Sequence, residues 1–354
     1  MEPDWIAEVL LRESFHTAVP LRCTVDSKSG TATVDELIGV WQRVLQRSPI
    51  NPDENFSDLT TDDSLADCVF AEIARQLGRE LPSATICYAQ TISALAAVVE
   101  HSELPRFPPL VLLKSGNDQQ PIFIAPGIGG RASFSSLAKH MKTERSIYGI
   151  QARGVEGLEE PFERIEDMAE FYLKAITQLQ SQGPYFLIGY SFGGLLAVEM
   201  ARRITAGGQQ VAMLTMIDTY PHPRYLPFGE RLRFNTNRVK AAFWKRVRRE
   251  DRSMVLPQTS PGSFAHNMQR VKQSDFVALA RYRPSFYSGP VKFVRPEAAP
   301  YLASNPFNVW KKLVGELQIE TVPGDHLGVV AAHPERLAAV LTRYVGEASA
   351  EAKA

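Results

Sequence analysis

Short apolar runs alternate with longer amphipathic runs from residue 110 onward. Unbroken apolar runs are typical of strands that are buried on both faces of a parallel sheet, and periodic runs are typical of covering helices. The predicted strands are residues 110–113, 122–125, 146–151, 185–188, 211–217, 291–294 and 317–322, and the predicted helices are 134–141, 165–180 and 195–204. This alternation predicts an α/β fold with a mostly parallel sheet that helices cover on both faces.

The alternation stops between Asp218 and Val291, for about seventy residues. A connection of this length is too long for a plain loop in a compact domain. We therefore expect a helical lid over about residues 220–288, and lids of this kind control which molecules enter a site.

A serine between glycines lies where one predicted strand gives way to a helix. The sequence there is Gly189-Tyr190-Ser191-Phe192-Gly193-Gly194. A tight strand-to-helix turn favours glycine two positions before and two after the serine, and the turn lifts the hydroxyl above the sheet edge. Ser191 is therefore the predicted nucleophile. The alternative is a glycine-rich loop without chemistry, which the flanking strand and helix disfavour.

A serine hydroxyl needs a histidine base and an acid that orients the histidine. His326 and Asp218 each follow a predicted strand, and function collects at the carboxyl ends of strands in open α/β sheets. The chain order of serine, aspartate and histidine is that of the α/β-hydrolases. Glu297, at the end of another predicted strand, is the competing acid. Asp325 is better suited to cap a helix start, since adjacent residues seldom place a carboxylate on the neighbouring ring.

Two backbone donors are expected for the oxyanion of a tetrahedral intermediate. One is the N–H of Phe192, the residue after the nucleophile. The other is expected in the glycine-rich loop after an early strand, Pro126-Gly127-Ile128-Gly129-Gly130. A phosphate-binding loop is disfavoured there because no Gly-Lys-Ser/Thr follows.

From about Arg106 to its C-terminus, the chain resembles the type I thioesterase domains that end nonribosomal peptide and polyketide assembly lines. The matching segments are the loop that begins at Pro126, the turn that contains Ser191, and Tyr148-Gly149-Ile150-Gln151-Ala152-Arg153-Gly154, Ile165-Glu166-Asp167-Met168-Ala169, Gly183-Pro184-Tyr185 and Ile217-Asp218-Thr219-Tyr220. The resemblance implies an α/β-hydrolase over residues 119–349, supports Asp218 as the acid, and makes Gly127 the second oxyanion donor. It also implies that the lid shapes an acyl pocket. Apolar lid residues are candidate lining, with packing inside the lid as the alternative: Phe228, Phe234, Phe243, Trp244, Phe264 and Met268.

Residues 33–100 resemble a carrier domain, a small all-α bundle that holds a phosphopantetheine arm on a serine, and a Pro-rich linker is predicted over 101–118. The matching positions are Trp41, Val44-Leu45, Asp53, Asn55-Phe56, Asp58-Leu59, Ile73, Leu77-Gly78, Leu81-Pro82 and Thr91-Ile92. This resemblance implies phosphopantetheine as a cofactor. It also implies carrier domains of a nonribosomal peptide or polyketide synthase as partners, together with a phosphopantetheinyl transferase if the serine is modified.

The attachment site departs from the carrier pattern. Where the family has two glycines, an Asp or His, the modified serine and a leucine, this chain reads Thr60-Thr61-Asp62-Asp63-Ser64-Leu65. An ungapped match on both sides puts Asp63 in the serine's place, and a carboxylate cannot accept the phosphodiester. Either a one-residue shift keeps Ser64 as the attachment site, or the carrier is degenerate and serves as a docking or structural module. The ungapped match favours degeneracy.

Composition agrees with two domains, since the chain has 354 residues and zero formal net charge, which gives no reason to expect nucleic acid. The three cysteines, Cys23, Cys68 and Cys87, lack metal-ligand spacing. Zinc, other metals and disulfides are therefore not expected. The expected location of the chain is the reducing cytoplasm. The acidic start is followed by no long apolar run, so neither a signal peptide nor a membrane span is expected. Residues 1–32 are an unassigned tail.

Charge is distributed unevenly between the two halves. The lid is rich in basic residues: Arg224, Arg231, Arg233, Arg238, Lys240, Lys245, Arg246, Arg248, Arg249 and Arg252. Residues 53–72 of the carrier-like stretch contain seven acids and no Lys or Arg. One interpretation is that the basic lid receives an acidic carrier, and the other is a solvated helix face.

Together these features predict a thioesterase that releases an acyl or peptidyl chain from a phosphopantetheine thioester, by hydrolysis or cyclisation. One alternative is a simple carboxylesterase or lipase, for which the carrier-like domain has no role. The other is a non-catalytic module that tethers assembly-line partners, which the set formed by Ser191, Asp218 and His326 argues against.

Overall fold

The computed structural model describes residues 34–54, 59, 63–81, 85, 89, 91–100, 108–129, 134–155, 157–229, 231, 264–298, 305–332 and 334–352. The tail over 1–32, the linker residues 101–107 and most of the basic lid residues lie outside the described residues. So do Gly130 and Thr60 to Asp62.

A seven-stranded sheet forms the centre of the α/β part. Its strands are β1 (Leu110–Lys114), β2 (Asn117–Ala125), β3 (Arg145–Ile150), β4 (Tyr185–Tyr190), β5 (Val211–Ile217), β6 (Tyr287–Pro296) and β7 (Val314–Val322). Their order across the sheet is β1-β3-β2-β4-β5-β6-β7. β1 runs antiparallel to β3, and the other neighbouring pairs are parallel. The prediction of a mostly parallel sheet is confirmed.

Ten α-helices lie in the described ranges. They are α1 (Val34–Leu45), α2 (Asp63–Leu77), α3 (Ile92–Glu100), α4 (Ser135–His140), α5 (Ile165–Leu179), α6 (Phe192–Ala206), α7 (Phe264–Arg281), α8 (Pro306–Trp310), α9 (Gly328–Ala331) and α10 (Pro334–Glu351). In this described part of the chain, no helix combines the length and the apolar character that crossing a bilayer requires.

The two faces of the sheet carry separate apolar cores. Ile176 of α5 and Leu195 of α6 lie in one core, and Leu137 of α4 and Leu341 of α10 lie in the other. All four side chains are fully buried. The side chains of successive strand residues point to opposite faces, so continuous apolar strands such as β4 supply both cores. Helices therefore cover both faces, as the alternation in the sequence predicted.

Strand β1 corrects the predicted linker over residues 101–118. Leu110 pairs with Ile150 and Val111 pairs with Gly149, and β2 already begins at Asn117. The sheet therefore starts inside the segment that was predicted to be a linker. The backbone pairing of β1 with β3 continues to Pro109, whose carbonyl accepts a 3.0 Å hydrogen bond from the N–H of Gln151.

The N-terminal helices form a small all-α unit with its own core, which confirms the predicted helical bundle. Leu37 and Trp41 of α1, Phe70 and Ile73 of α2, and Leu95 of α3 are buried together. Helix α2 begins at Asp63, so Ser64 is the second residue of that helix. The side chains of both residues lie outside the described part of the chain.

Helix α7 is the part of the predicted lid that the structure describes as a long helix. Its residue Met268 is buried against Val155 and Val271, and Phe228, before the helix, is 73% exposed. Of the predicted pocket-lining residues, Phe234, Phe243, Trp244 and the side chain of Phe264 lie outside the described residues. Met268 therefore packs on the loop after β3, through Val155, as well as on its own helix.

A buried carboxylate ties the end of the lid helix to α6. Glu199 of α6 is 2% exposed, and it accepts hydrogen bonds from Arg202, Arg203 and the hydroxyl of Tyr282. Burial raises the pKa of the Glu199 carboxyl, but the hydrogen bonds from the two arginines outweigh burial, and the pKa lies below its usual range. Tyr282 directly follows α7, so the ionised Glu199 carboxylate holds the end of α7 against α6.

Candidate active site

Ser191 lies at the turn between β4 and α6 in a strained backbone conformation. Its φ is +55° and its ψ is −119°, a region that residues with a side chain rarely adopt. The Ser191 N–H donates a 2.8 Å hydrogen bond to the carbonyl of Ile217, the last residue of β5. The pairing of β4 with β5 therefore continues into the turn and holds the serine in place.

Close backbone crossings explain the glycines on both sides of Ser191. A Cβ atom on Gly189 would lie 2.3 Å from the carbonyl oxygen of Gly193, and one on Gly193 would lie 2.2 Å from that of Ala125. These distances are far shorter than any van der Waals contact, so neither position tolerates a side chain. The glycines allow α6 to start directly against the ends of β2 and β4.

Asp218 and His326 form a hydrogen-bonded pair. The distance between His326 Nδ1 and Asp218 Oδ2 is 2.6 Å, and the two side chains are 14% and 1% exposed. Asp218 directly follows β5 with a φ of +43°, and its N–H donates a 2.9 Å hydrogen bond to the carbonyl of Val294 in β6. The sheet therefore fixes the acid, and the acid orients the imidazole.

The Asp218 carboxylate has a single protein partner in the described part of the chain. Its Oδ1 atom is buried and has no donor there, so the imidazole of His326 is what offsets the cost of burying this group. The next peptide is fixed as well, because the indole N–H of Trp310 donates a 2.9 Å hydrogen bond to the Thr219 carbonyl. A buried carboxylate on one imidazole nitrogen stabilises the imidazolium that forms when the other nitrogen takes a proton.

The competing acids lie elsewhere. Glu297 is exposed, and its N–H donates to the carbonyl of Val322. Asp325 accepts a 2.6 Å hydrogen bond from the N–H of Gly328, the first residue of α9. The structure thus brings Asp218 against His326, and Asp325 lies at a helix start as the sequence predicted.

Both predicted oxyanion donors border the serine. A Cβ atom on Gly127 would lie 3.5 Å from Ser191 Cβ, so the backbone of this loop lies close against Ser191. Phe192 is the first residue of α6, and N–H groups in a first helical turn have no carbonyl partner within the helix. The positive end of the helix dipole adds to the attraction for negative charge at this place.

An apolar pocket opens next to these donors. It encloses about 370 Å³, including its open mouth, and both Gly127 and Phe192 line it. Met168 of α5, Leu196 of α6 and Val271 of α7 supply apolar walls. Apolar walls beside two backbone N–H groups are the kind of lining that suits an acyl chain, because ligand sites combine apolar side chains with a few placed polar groups.

Asp275 of α7 is a site residue that no sequence signal indicated. Its buried carboxylate lines the same pocket and accepts a 2.8 Å hydrogen bond from the Gly129 N–H, in the loop that carries Gly127. The helix also makes ion pairs with the segment that contains the lining residues Pro161 and Phe162, Arg270 with Glu160 and Arg281 with Glu163. The lid helix therefore holds the loop that contains Gly127 and also lines the pocket.

Comparisons with known proteins identify a family for the α/β part of the chain. The family model described as thioesterase domain matches residues 120–344. The dimodular nonribosomal peptide synthase of Bacillus subtilis is 33% identical over 196 residues, which cover 55% of this chain and 8% of that protein. Enterobactin synthase component F of Escherichia coli is 24% identical over 312 residues, which cover 86% of this chain and 24% of that protein.

The structural comparison extends across both parts of the chain. A crystal structure of a four-domain nonribosomal peptide synthetase bound to AMP and glycine covers 94% of this chain and 27% of its own, with a TM-score of 0.57 and 22% identity. Malpibaldin synthetase of Mortierella alpina is 27% identical over 82% of this chain, and the match spans 5% of that protein. The chain thus spans less than a quarter of the curated relatives described. By the match over residues 120–344, this chain belongs to the thioesterase domain family.

Proposed function

We propose that this chain releases an acyl or peptidyl chain from a phosphopantetheine thioester in nonribosomal peptide or polyketide biosynthesis. The proposal rests on the buried Asp218–His326 pair, 2.6 Å between Nδ1 and Oδ2, and on the strained Ser191 at the β4–α6 turn of a member of the thioesterase family. The names of its relatives among nonribosomal peptide synthetases support an assembly-line substrate.

In the first step, Ser191 Oγ attacks the thioester carbonyl carbon while His326 Nε2 accepts the hydroxyl proton. The carbonyl oxygen becomes an oxyanion, and the N–H groups of Gly127 and Phe192 donate hydrogen bonds to it. The Asp218 carboxylate stabilises the imidazolium. When the carbon–sulfur bond breaks, His326 returns the proton to the sulfur, so a free pantetheine thiol leaves and an ester on Ser191 remains.

In the second step, water or a nucleophilic group on the acyl chain attacks the Ser191 ester. His326 accepts the proton of the attacking group and returns it to Ser191 Oγ as the ester bond breaks. Attack by water gives the free acid, and attack by a hydroxyl or amine of the chain itself gives a ring. The apolar pocket beside Gly127 and Phe192 holds the chain during both steps.

Activity on matched esters tests the substrate class. We expect kcat/KM for an S-acyl pantetheine to exceed that for the corresponding oxygen ester by about tenfold or more, because a thiolate leaves the tetrahedral intermediate more readily than an alkoxide does. Release of thiol and of alcohol is measured on the full chain with the same acyl group. Equal turnover of both esters, or a preference for the oxygen ester, supports the carboxylesterase or lipase alternative. Turnover of neither supports a non-catalytic docking module.

The carrier-like bundle has one of two roles in this proposal. It is either the carrier that delivers the thioester to Ser191 or a docking module for a separate carrier protein. The basic lid residues that would receive an acidic carrier lie mostly outside the described residues, so that docking surface rests on the charge pattern of the sequence. A low cysteine content without metal-ligand spacing supports a reducing, cytoplasmic setting for this exchange.

Attachment of the arm to Ser64 is tested by mass spectrometry of the intact chain after incubation with a promiscuous phosphopantetheinyl transferase and coenzyme A. A gain of one phosphopantetheine that disappears in Ser64→Ala identifies a working carrier that delivers its own cargo to Ser191. The ungapped alignment of Asp63 with the attachment serine leads us to expect no gain. In that case a separate protein delivers the thioester.

A further inference from the structure

Tyr190, the residue before the proposed nucleophile, makes two direct contacts with His326. Its hydroxyl donates a 2.7 Å hydrogen bond to the main-chain carbonyl of His326. Its ring stacks on the imidazole, with 5.1 Å between ring centroids and 26° between ring planes. One side chain therefore holds both the backbone and the ring of the proposed base.

Tyr190 also touches the oxyanion loop. A Cβ atom on Gly127 would lie 3.2 Å from both Cδ1 and Cε1 of Tyr190, so the tyrosine ring packs directly on the Gly127 backbone. Phe134 packs against the ring edge, with 6.2 Å between centroids and 82° between planes. The ring is thus fixed between the loop that carries one proposed oxyanion donor and the histidine.

These contacts restrict the orientation of the imidazole plane, which the hydrogen bond to Asp218 alone does not fix. A bond from Nδ1 to a carboxylate oxygen sets one distance but leaves the imidazole able to rotate about that bond. His326 lies in the short connection between β7 and α9, where Gly324 has a φ of +110°. Stacking on Tyr190 fixes the plane of the imidazole, and the hydroxyl fixes the main chain of the connection.

We propose that Tyr190 is a positioning residue that holds His326 in register with Ser191 and Gly127. The inference rests on the proposed role of His326 as the base. Because Tyr190 is bonded to Ser191 through the chain, packs on Gly127 and holds His326, a displacement of one of these groups is resisted by the others. Preorganisation of this kind acts on the rate of the chemical steps, since misplacement by about 1 Å costs about a hundredfold.

The test uses the full chain with Tyr190→Phe, which keeps the stacking and loses the hydroxyl, and Tyr190→Leu, which loses both. We expect Tyr190→Phe to lower kcat about threefold to tenfold, the effect of one hydrogen bond. Tyr190→Leu is expected to lower kcat about a hundredfold. KM is expected to stay within about twofold in both variants, because neither change removes a group that lines the acyl pocket.

Tyr344→Phe is the matched control. The Tyr344 hydroxyl donates a 2.7 Å hydrogen bond to Glu320, and its ring, on α10, is buried in the core between α10 and the sheet. This variant is expected to lose as much thermal stability as Tyr190→Phe while keeping the wild-type kcat. If it lowers kcat as much as Tyr190→Phe does, or if Tyr190→Leu keeps kcat within twofold of wild type, the positioning role is wrong.

A second measurement separates this inference from the proposed function. The rate at which a fluorophosphonate probe modifies Ser191 depends on the histidine but requires no thioester substrate. We expect Tyr190→Leu to slow this modification about as much as it slows turnover, with the Tyr344→Phe rate unchanged. A chain that turns over no thioester but shows this pattern refutes the proposed substrate and keeps the role of Tyr190. Equal modification rates in all variants overturn that role.

Discussion

Replacing Ser191 with alanine is expected to lower kcat for an S-acyl pantetheine by about ten-thousandfold or more, because no covalent intermediate can then form. The Asp218–His326 pair and both oxyanion donors remain in this variant, so a residual rate above that of water alone is expected. Thiol release, followed with a thiol-reactive dye under saturating substrate, measures the change. Binding of substrate is expected to persist, since the pocket beside Phe192 is unaltered.

Ser288→Ala is the control for this change. Ser288 is exposed at the amino end of β6, whereas Ser191 and Asp218 follow the carboxyl ends of their strands, and its replacement is expected to leave kcat unchanged. Ser191→Gly is expected to be as inactive as the alanine variant but more stable to heat, because glycine tolerates a φ of +55°. A Ser191→Ala variant that keeps a tenth of wild-type kcat would contradict the assignment.

Asp218→Asn is expected to lower kcat by about a thousandfold to ten-thousandfold. The amide keeps the size of the carboxylate but loses its charge, so it no longer stabilises the imidazolium that His326 becomes in each step. It also offers Nδ1 a donor, which favours the wrong tautomer of the imidazole. Because the carboxylate is buried, solvent cannot replace its charge. Steady-state kinetics with the same thioester give kcat and KM separately, and KM is expected to change little.

Glu297→Gln is the matched control, because it removes the charge of the competing acid at the end of β6. Glu297 is exposed, and its replacement is expected to leave kcat within about twofold of wild type, as for most surface substitutions. A larger loss in Glu297→Gln than in Asp218→Asn would reverse the assignment of the acid.

The strands were predictable where both faces are buried and not where they reach solvent. The prediction for β5 matches the structure from Val211 to Ile217, because a central parallel strand is one continuous apolar run. β2 instead begins at Asn117 with polar, exposed residues, and backbone pairing beside Arg145 extends it there. Likewise β6 begins at Tyr287, ahead of a predicted start at Val291, because exposed positions and Pro290 interrupt the apolar pattern.

The candidate site residues that lie at the ends of strands were predictable from the sequence. Ser191, Asp218 and His326 each follow a strand, so local patterns indicated all three, and the fold then brought together Asp218 and His326, which are 108 positions apart in the sequence. Tyr190 was missed because its hydroxyl binds a main-chain carbonyl, and such an acceptor has no sequence signature. Asp275 was missed because its contact with Gly129 depends on how α7 packs against a loop 146 positions away, and no local sequence pattern indicates that packing.

In the proposed reaction the acyl chain passes through an ester on Ser191, and rapid-quench mass spectrometry of the intact chain during turnover of an S-acyl pantetheine detects such an ester. We predict a transient mass gain equal to the acyl group, located by peptide mapping on Ser191 and absent in Ser191→Ala. Turnover without any such adduct, or an adduct on another residue that persists in Ser191→Ala, would show that Ser191 is not the nucleophile.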